Sequence, residues 1–217
     1  KTPALDAAIA AALADFAPAL ESFEGQFAAI HAAIAGTAPA LNQNSTNMVS
    51  LSNNLALATG TTFGGSGTGT VLSRGVISGA GSLTKAGSGT LTLSGTNTYT
   101  GGTVINGGTL SIANDRNLGA APGSFQPTNI TLNGGTLRIT ADITTHANRG
   151  IYLAGGTSTI ACTAGGNGIH ANVISGPGNV DFNIAGGEYR LTATNTYTGN
   201  TRIIGGAYGL VLNGGGE

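Results

Sequence analysis

The stretch Gly89-Thr-Leu-Thr-Leu-Ser-Gly-Thr-Asn-Thr-Tyr-Thr-Gly-Gly-Thr103 returns in shortened form as Leu191-Thr-Ala-Thr-Asn-Thr-Tyr-Thr-Gly-Asn-Thr201. Its first half, Thr90-Leu-Thr-Leu-Ser94, alternates polar and apolar residues, the period of a strand with one buried face. Thr109-Leu-Ser-Ile112, Thr136-Leu-Arg-Ile139 and Val180-Asp-Phe-Asn-Ile184 alternate in the same way. Between such runs sit the glycine pairs Gly107-Gly108, Gly134-Gly135, Gly155-Gly156, Gly186-Gly187 and Gly205-Gly206. Glycine permits positive φ and close backbone approach, so these pairs are read as corners.

The first members of the pairs are 27, 21, 31 and 19 residues apart. Asn106-Gly-Gly-Thr-Leu-Ser-Ile112 matches Asn133-Gly-Gly-Thr-Leu-Arg-Ile139, and Val76-Ile-Ser-Gly-Ala-Gly81 matches Val173-Ile-Ser-Gly-Pro-Gly178. Self-similarity at a spacing of about 20–30 residues is the mark of a solenoid, whose single coil cannot bury its apolar face until neighbours stack on it. A β-sandwich of tandem hairpins would instead need two-residue turns between adjacent strands. The sequence therefore predicts a mainly β chain, a parallel β-helix over residues 75–217, with 76–112 and 173–212 equivalent and Thr and Asn forming ladders between coils. Residues 75–212 would supply about six coils.

Residues 1–58 follow a different pattern. Ile9, Leu13, Phe16, Leu20, Phe23, Phe27, Ile30 and Ile34 alternate steps of four and three, and the register continues through Leu41, Asn44, Met48, Leu51 and Leu55. Such persistence of a 3.5-residue period predicts a coiled-coil stalk over 1–58, with a break at 36–39. Leu13, Phe16, Leu20, Phe23, Phe27, Ile30, Ile34, Asn44 and Met48 would form its core, and aromatic core residues suit a homotrimer. A helical cap on the β-rich half is the alternative reading of this segment. Residues 59–74, rich in Gly and Thr, are read as a linker or first coil.

The run from Leu83 to Leu110, with its LTKAGSGTLTLSGTNTYTGGTVINGGTL text, resembles the autotransporter-associated β-strand repeat. The resemblance is close over 83–112 and loose over 173–212. It implies a right-handed parallel β-helix on a bacterial surface, and it carries no catalytic residues. A coiled coil feeding a β-rich rod is similar to trimeric phage tail fibres and trimeric surface adhesins.

The chain's 38 glycines lack the three-residue period of collagen, and 40 % hydrophobic content argues against disorder. A net charge of −1 gives no electrostatic reason to expect nucleic acid or an anionic membrane, and no apolar run is long enough to span a membrane. The single Cys162 has no partner for an internal disulfide. Lys1 at the start and Asn213-Gly-Gly-Gly-Glu217 at the end read as a processed chain or a piece of a longer one.

Phosphate-loop, zinc and nucleophile-elbow motifs are absent, and Gly64–Gly69 and Gly165–His170 lack the Asp of the calcium-binding nonapeptide. The expectation is therefore no cofactor, no metal and no catalysis. Glycoside cleavage by paired carboxylates would have to draw on Asp115, Asp142, Asp181 and Glu188, of which Asp115 reads as a solvated turn and Asp181 as an outward strand residue. Tyr99 and Tyr197 fall at equivalent repeat positions, which favours a structural role; Tyr152 and Tyr208 are further candidates for a carbohydrate face. The expected function is a non-enzymatic fibre for host attachment, first as a trimeric phage tail-type fibre and second as a monomeric autotransporter passenger; a polysaccharide-degrading tailspike is a third reading. Its expected partners are its own copies, other virion tail or envelope components, and a host-surface glycan or protein.

Overall fold

A computed structural model of the chain describes residues 39–163, 166–205 and 209–212. Short strands wind into coils that present three faces. The first face stacks Ala40–Asn42, Thr61–Gly64, Leu83–Lys85, Thr103–Ile105, Gln126–Leu132, Arg149–Leu153 and Ile174–Ser175. The second stacks Val49–Leu51, Thr70–Ser73, Thr90–Leu93, Thr109–Ile112, Thr136–Ile139, Thr157–Cys162, Asn179–Ile184 and Thr201–Ile204. This 8-stranded sheet marks eight coils, a column about 35 Å long at the usual inter-strand spacing.

The third face is interrupted. Leu55–Ala56 pairs with Ile77–Ser78, and Ile143–Thr144, Gly168–His170, Tyr189–Leu191 and Leu210–Leu212 form a separate sheet. Between them the stack continues through irregular backbone. Thr98 N donates to Ile77 O, Asn97 N to Arg116 O and Ala120 N to Tyr99 O. A 3-10 turn at Asp115–Leu118 occupies this position in the fourth coil.

Every strand pair among the described residues is parallel and joins equivalent positions in successive coils. On the second face Val71, Leu91, Leu110, Leu137, Ile160, Phe182 and Ile203 form one inward column, and Leu93, Ile112, Ile139, Cys162 and Ile184 form another. Leu91, Leu110, Ile160, Phe182 and Ile184 are fully buried, whereas Ile203 in the last coil is 57 % exposed because nothing stacks above it among the described residues. Each interior coil thus shields its neighbours' apolar side chains, the mutual burial that a lone coil cannot achieve.

The glycine pairs lie between faces. Gly107-Gly108, Gly134-Gly135 and Gly155-Gly156 connect the first face to the second, whereas Gly186-Gly187 follows the second face and leads to the third, as does Gly205. Gly206 lies outside the described residues. Gly108, Gly134, Gly156, Gly186 and Gly205 have positive φ. The change of corner between Gly155 and Gly186 explains their 31-residue separation, which is one coil plus one face.

The same slip governs the long repeat. The phrase ending at Thr103 leads onto the first face, but its copy ending at Thr201 leads onto the second. Coils run to about 22 residues, from Ala40 to Thr62 or Ile151 to Ile174, with 27 from Thr103 to Ile130. An offset of 98 residues is therefore four coils and one face. Segments 76–112 and 173–212 match as text while occupying different sides of the column.

The predicted stalk and its boundary at residue 58 need correction. Residues 39–58 contain the first coil, in which Leu41 pairs with Phe63, Val49 with Val71 and Leu55 with Ile77. Asn44 and Met48 are not core residues of a trimeric helix. Met48 is 62 % exposed, and the exposed Asn44 accepts at Oδ1 from Ser66 N in the next coil. The segment is dense in Asn, Ser and Thr, which compete with helix by bonding locally, and 22-residue stacking prevails over a fortuitous 3.5-residue spacing. Residues 59–74 likewise belong to the second coil. Leu13, Phe16, Leu20, Phe23, Phe27, Ile30 and Ile34 lie outside the described residues.

Candidate functional site

The repeated phrase builds a corner. Asn97 Oδ1 accepts from Ile77 N at 2.8 Å in the coil before, and its Nδ2 donates to Asn117 O in the coil after. Asn117 extends the ladder by donating to Gly95 O and accepting from Ala113 N and Asn114 N. Two residues on, the buried Tyr99 shares a 2.7 Å hydrogen bond with Thr103 Oγ1, and burial pushes its phenol up to about 12. The second copy repeats the device. Asn195 Oδ1 accepts from Ile174 N, and Tyr197 shares a 2.6 Å bond with Thr201 Oγ1. The tyrosine positions singled out from the repeat therefore hold the corner; Tyr152 is half-buried on the first face, and Tyr208 lies outside the described residues.

Several polar groups occupy the interior, where alternation alone would put apolar ones. Lys85 stands between Phe63 and Ile105 in an inward column, 3 % exposed. Its ammonium donates to Ala86 O, Gly87 O and Gly107 O, satisfying corner carbonyls, while burial lowers its pKa. Arg149 is more deeply placed, at 1 % exposure. Its Nε donates to Asp115 Oδ1 at 3.0 Å, Nη1 to Asn129 Oδ1 at 2.8 Å and Leu118 O at 3.2 Å, and Nη2 to Gly119 O at 2.6 Å. Asp115 is thus no solvated turn residue. It accepts from Arg149 and from His146 N, and anchors the 3-10 turn to the column.

His170 and Tyr189 lie inside the third face. His170 Nδ1 meets Thr145 Oγ1 at 2.9 Å, while its Nε2 has no hydrogen-bond partner among the described residues. Burial drives the imidazole down to about 4, and it pushes the Cys162 thiol up to about 11. Tyr189 is fully buried against Phe182, 5.6 Å between ring centroids, with its hydroxyl unpartnered and its pKa raised by burial. These groups are enclosed in the interior of the column.

The outer surface carries a different arrangement. At the corner entering the third face, Asp142 Oδ1 accepts from both Asn167 N and Asn167 Nδ2 at 2.9 Å, and Asn167 Oδ1 accepts from Glu188 N at 2.9 Å. Thr144, Ile169 and Arg190 make a second column beside it, in strand register. Arg190 pairs with Glu188, both partly exposed. The two columns line a groove of about 330 Å³. Asp181 faces outward as expected and is covered by Arg202 of the next coil, which pairs with it through Nε at 3.0 Å. The four acidic candidates are therefore dispersed: Asp115 and Asp181 serve ion pairs, and only Asp142 and Glu188 meet at one groove. No group of three or more His, Cys, Asp or Glu side chains among the described residues could hold a metal, and no described helix is long and apolar enough to cross a membrane.

Sequence reasoning missed Lys85, Arg149 and His170, because each lies at a position whose neighbours are assigned only by stacking. A usable signal existed for Lys85: aligning coils at 22-residue offsets places it beneath Ile105 and above Phe63.

The passenger-associated-transport-repeat family matches residues 83–112 and 186–207. The first match coincides with the stretch whose resemblance was drawn from sequence; the second begins at Gly186, later than the loose copy from 173. No curated protein and no solved structure matches the chain. The family match and the parallel solenoid together fit a β-helical segment of the passenger or fibre kind, at a cell surface or outside the cell.

Proposed function

We propose that the chain is the shaft of a non-enzymatic, surface-displayed adhesin of the autotransporter-passenger kind. The observation that carries this reading is the continuous eight-stranded parallel sheet of the second face, along which the described residues of both family matches fold as ordinary coils. A column of this kind extends along one axis and exposes rows of Thr, Asn and Ser side chains, which suits projection from an envelope. The exposed large apolar residues Met48, Phe125, Ile203 and Leu212 sit in the first coil, in the 113–125 excursion and in the last coil. Among the described residues they form no lengthwise stripe of the sort that lateral packing of three columns would bury, which supports a monomeric shaft.

The second reading is a trimeric tail-type fibre of a virion, which would also bind other tail components. It rests on the heptad from Ile9 to Ile34. Protease treatment of intact producing cells separates the two: the passenger reading predicts that the chain is cleaved from the outside and sediments as a monomer once released. A protected chain, or one recovered as a trimer with virions, overturns it.

A further inference from the structure

We propose that the groove along the third face, between the Asp142–Asn167–Glu188 column and the Thr144–Ile169–Arg190 column, binds a neutral oligosaccharide lying parallel to the solenoid axis. This deepens the adhesive reading of the shaft by giving it a ligand class and a place.

The groove spans three successive coils, so its polar groups recur at the inter-strand spacing of about 4.8 Å. That repeat is close to the advance of one sugar unit in an extended glycan. Consecutive units would therefore each lie beside polar groups of one coil: acceptors on Asp142 and Glu188, the amide of Asn167, the hydroxyl of Thr144 and the guanidinium of Arg190. Asn167 links the coils below and above through its own hydrogen bonds, which fixes Asp142 against movement before any ligand arrives. Ile169 is half-buried at the centre and presents an apolar patch to the C–H face of a ring.

Other ligand classes fit less well. Asp142, Glu188 and Arg190 together leave one net negative charge, which opposes a nucleic acid or an anionic polymer. The groove offers two carboxylates, Asp142 and Glu188, and among the described residues no third His, Cys, Asp or Glu joins them to hold a cation. A peptide strand would need an open sheet edge, and the groove's central strand, Gly168–His170, is paired on both sides.

The test is saturation-transfer NMR on the full chain with cellohexaose, laminarihexaose and chitohexaose, and hexagalacturonate as the anionic control. At least one neutral hexasaccharide is expected to bind with a Kd below about 1 mM, and the anionic one is not. Thr144→Arg and Arg190→Ala should each weaken binding at least tenfold, while Thr131→Arg on the first face leaves it unchanged; all three should keep the parent melting temperature. The proposal is overturned if no neutral hexasaccharide binds, if the groove variants bind like the parent, or if binding disappears in EDTA. Surface display without groove-dependent binding would sink the groove and leave the shaft standing. Groove-dependent binding by a chain that is never displayed would do the reverse.

Discussion

At His170 the column encloses a titratable ring that it holds neutral. Thr145 contacts one nitrogen, and burial outweighs the pull of the Val173 backbone and the weaker attraction of Asp115, both of which favour the charged ring. The imidazole titrates near 4 in the fold against about 6.5 in the unfolded chain, so the unfolded chain takes up a proton first as pH falls. Stability should be undiminished above about pH 6.5, decline between there and about pH 4, and level off below; the full loss is about 3 kcal/mol. Urea midpoints across this range should follow that curve in the parent and flatten in His170→Leu. Two glycines give a sharper residue-level comparison. Gly108 and Gly156 have nearly the same φ, 59° and 58°. A Cβ on Gly108 would lie 2.4 Å from Gly89 O and 2.7 Å from Lys85 Nζ, whereas one on Gly156 meets nothing within 4 Å. Gly156→Ala should therefore carry only the left-handed backbone cost of about 1–2 kcal/mol, and Gly108→Ala roughly double that or more. Equal losses in thermal denaturation would show that stacking contact at the corner is unimportant.

Among the elements, the 113–125 excursion shows how a longer coil is accommodated. The 3-10 turn Asp115–Leu118 is capped by Asn114, whose side chain accepts from Arg116 N, and tied to the column by Arg149. Removing the charge on Asp115 would strand a guanidinium that is 1 % exposed. Asp115→Asn should destabilise the chain by about 3 kcal/mol, and the double variant Asp115→Asn/Arg149→Met should recover part of the loss, because the cost lies in the unpaired buried charge. A double variant no more stable than the single one would contradict this account. The elements also show what was legible in advance. Thr90–Leu93, Thr109–Ile112 and Thr136–Ile139 could be read directly, since alternation exposes the buried face. The strands Ala40–Asn42, Val49–Leu51 and Leu55–Ala56 could not, because each is only two or three residues long and their apolar residues happen to fall in a heptad with those upstream. Arg149 and Asp115 are 34 residues apart and carry no local sign of pairing.

Over the whole molecule, the repeat text and the structural coil are different periods. The text recurs at 98 residues and the coil at about 22, so the repeated corner turns up on another side of the column. Glycine corners marked where the chain turns but not which faces each turn joins, since that depends on the accumulated length of every preceding coil. The central claim is that these coils stack in parallel and in register. The outward threonines Thr70, Thr136 and Thr159 belong to one column on the second face, with Thr136 three coils and Thr159 four coils from Thr70. Pulsed electron paramagnetic resonance on spin labels at Thr70→Cys with Thr136→Cys, and at Thr70→Cys with Thr159→Cys, in a Cys162→Ser background, measures that column directly. The account predicts backbone separations of about 14 and 19 Å, growing by one inter-strand spacing per coil. Equal separations, or a shorter one for the Thr159 pair, would mean that the strands fold back on one another and would contradict it.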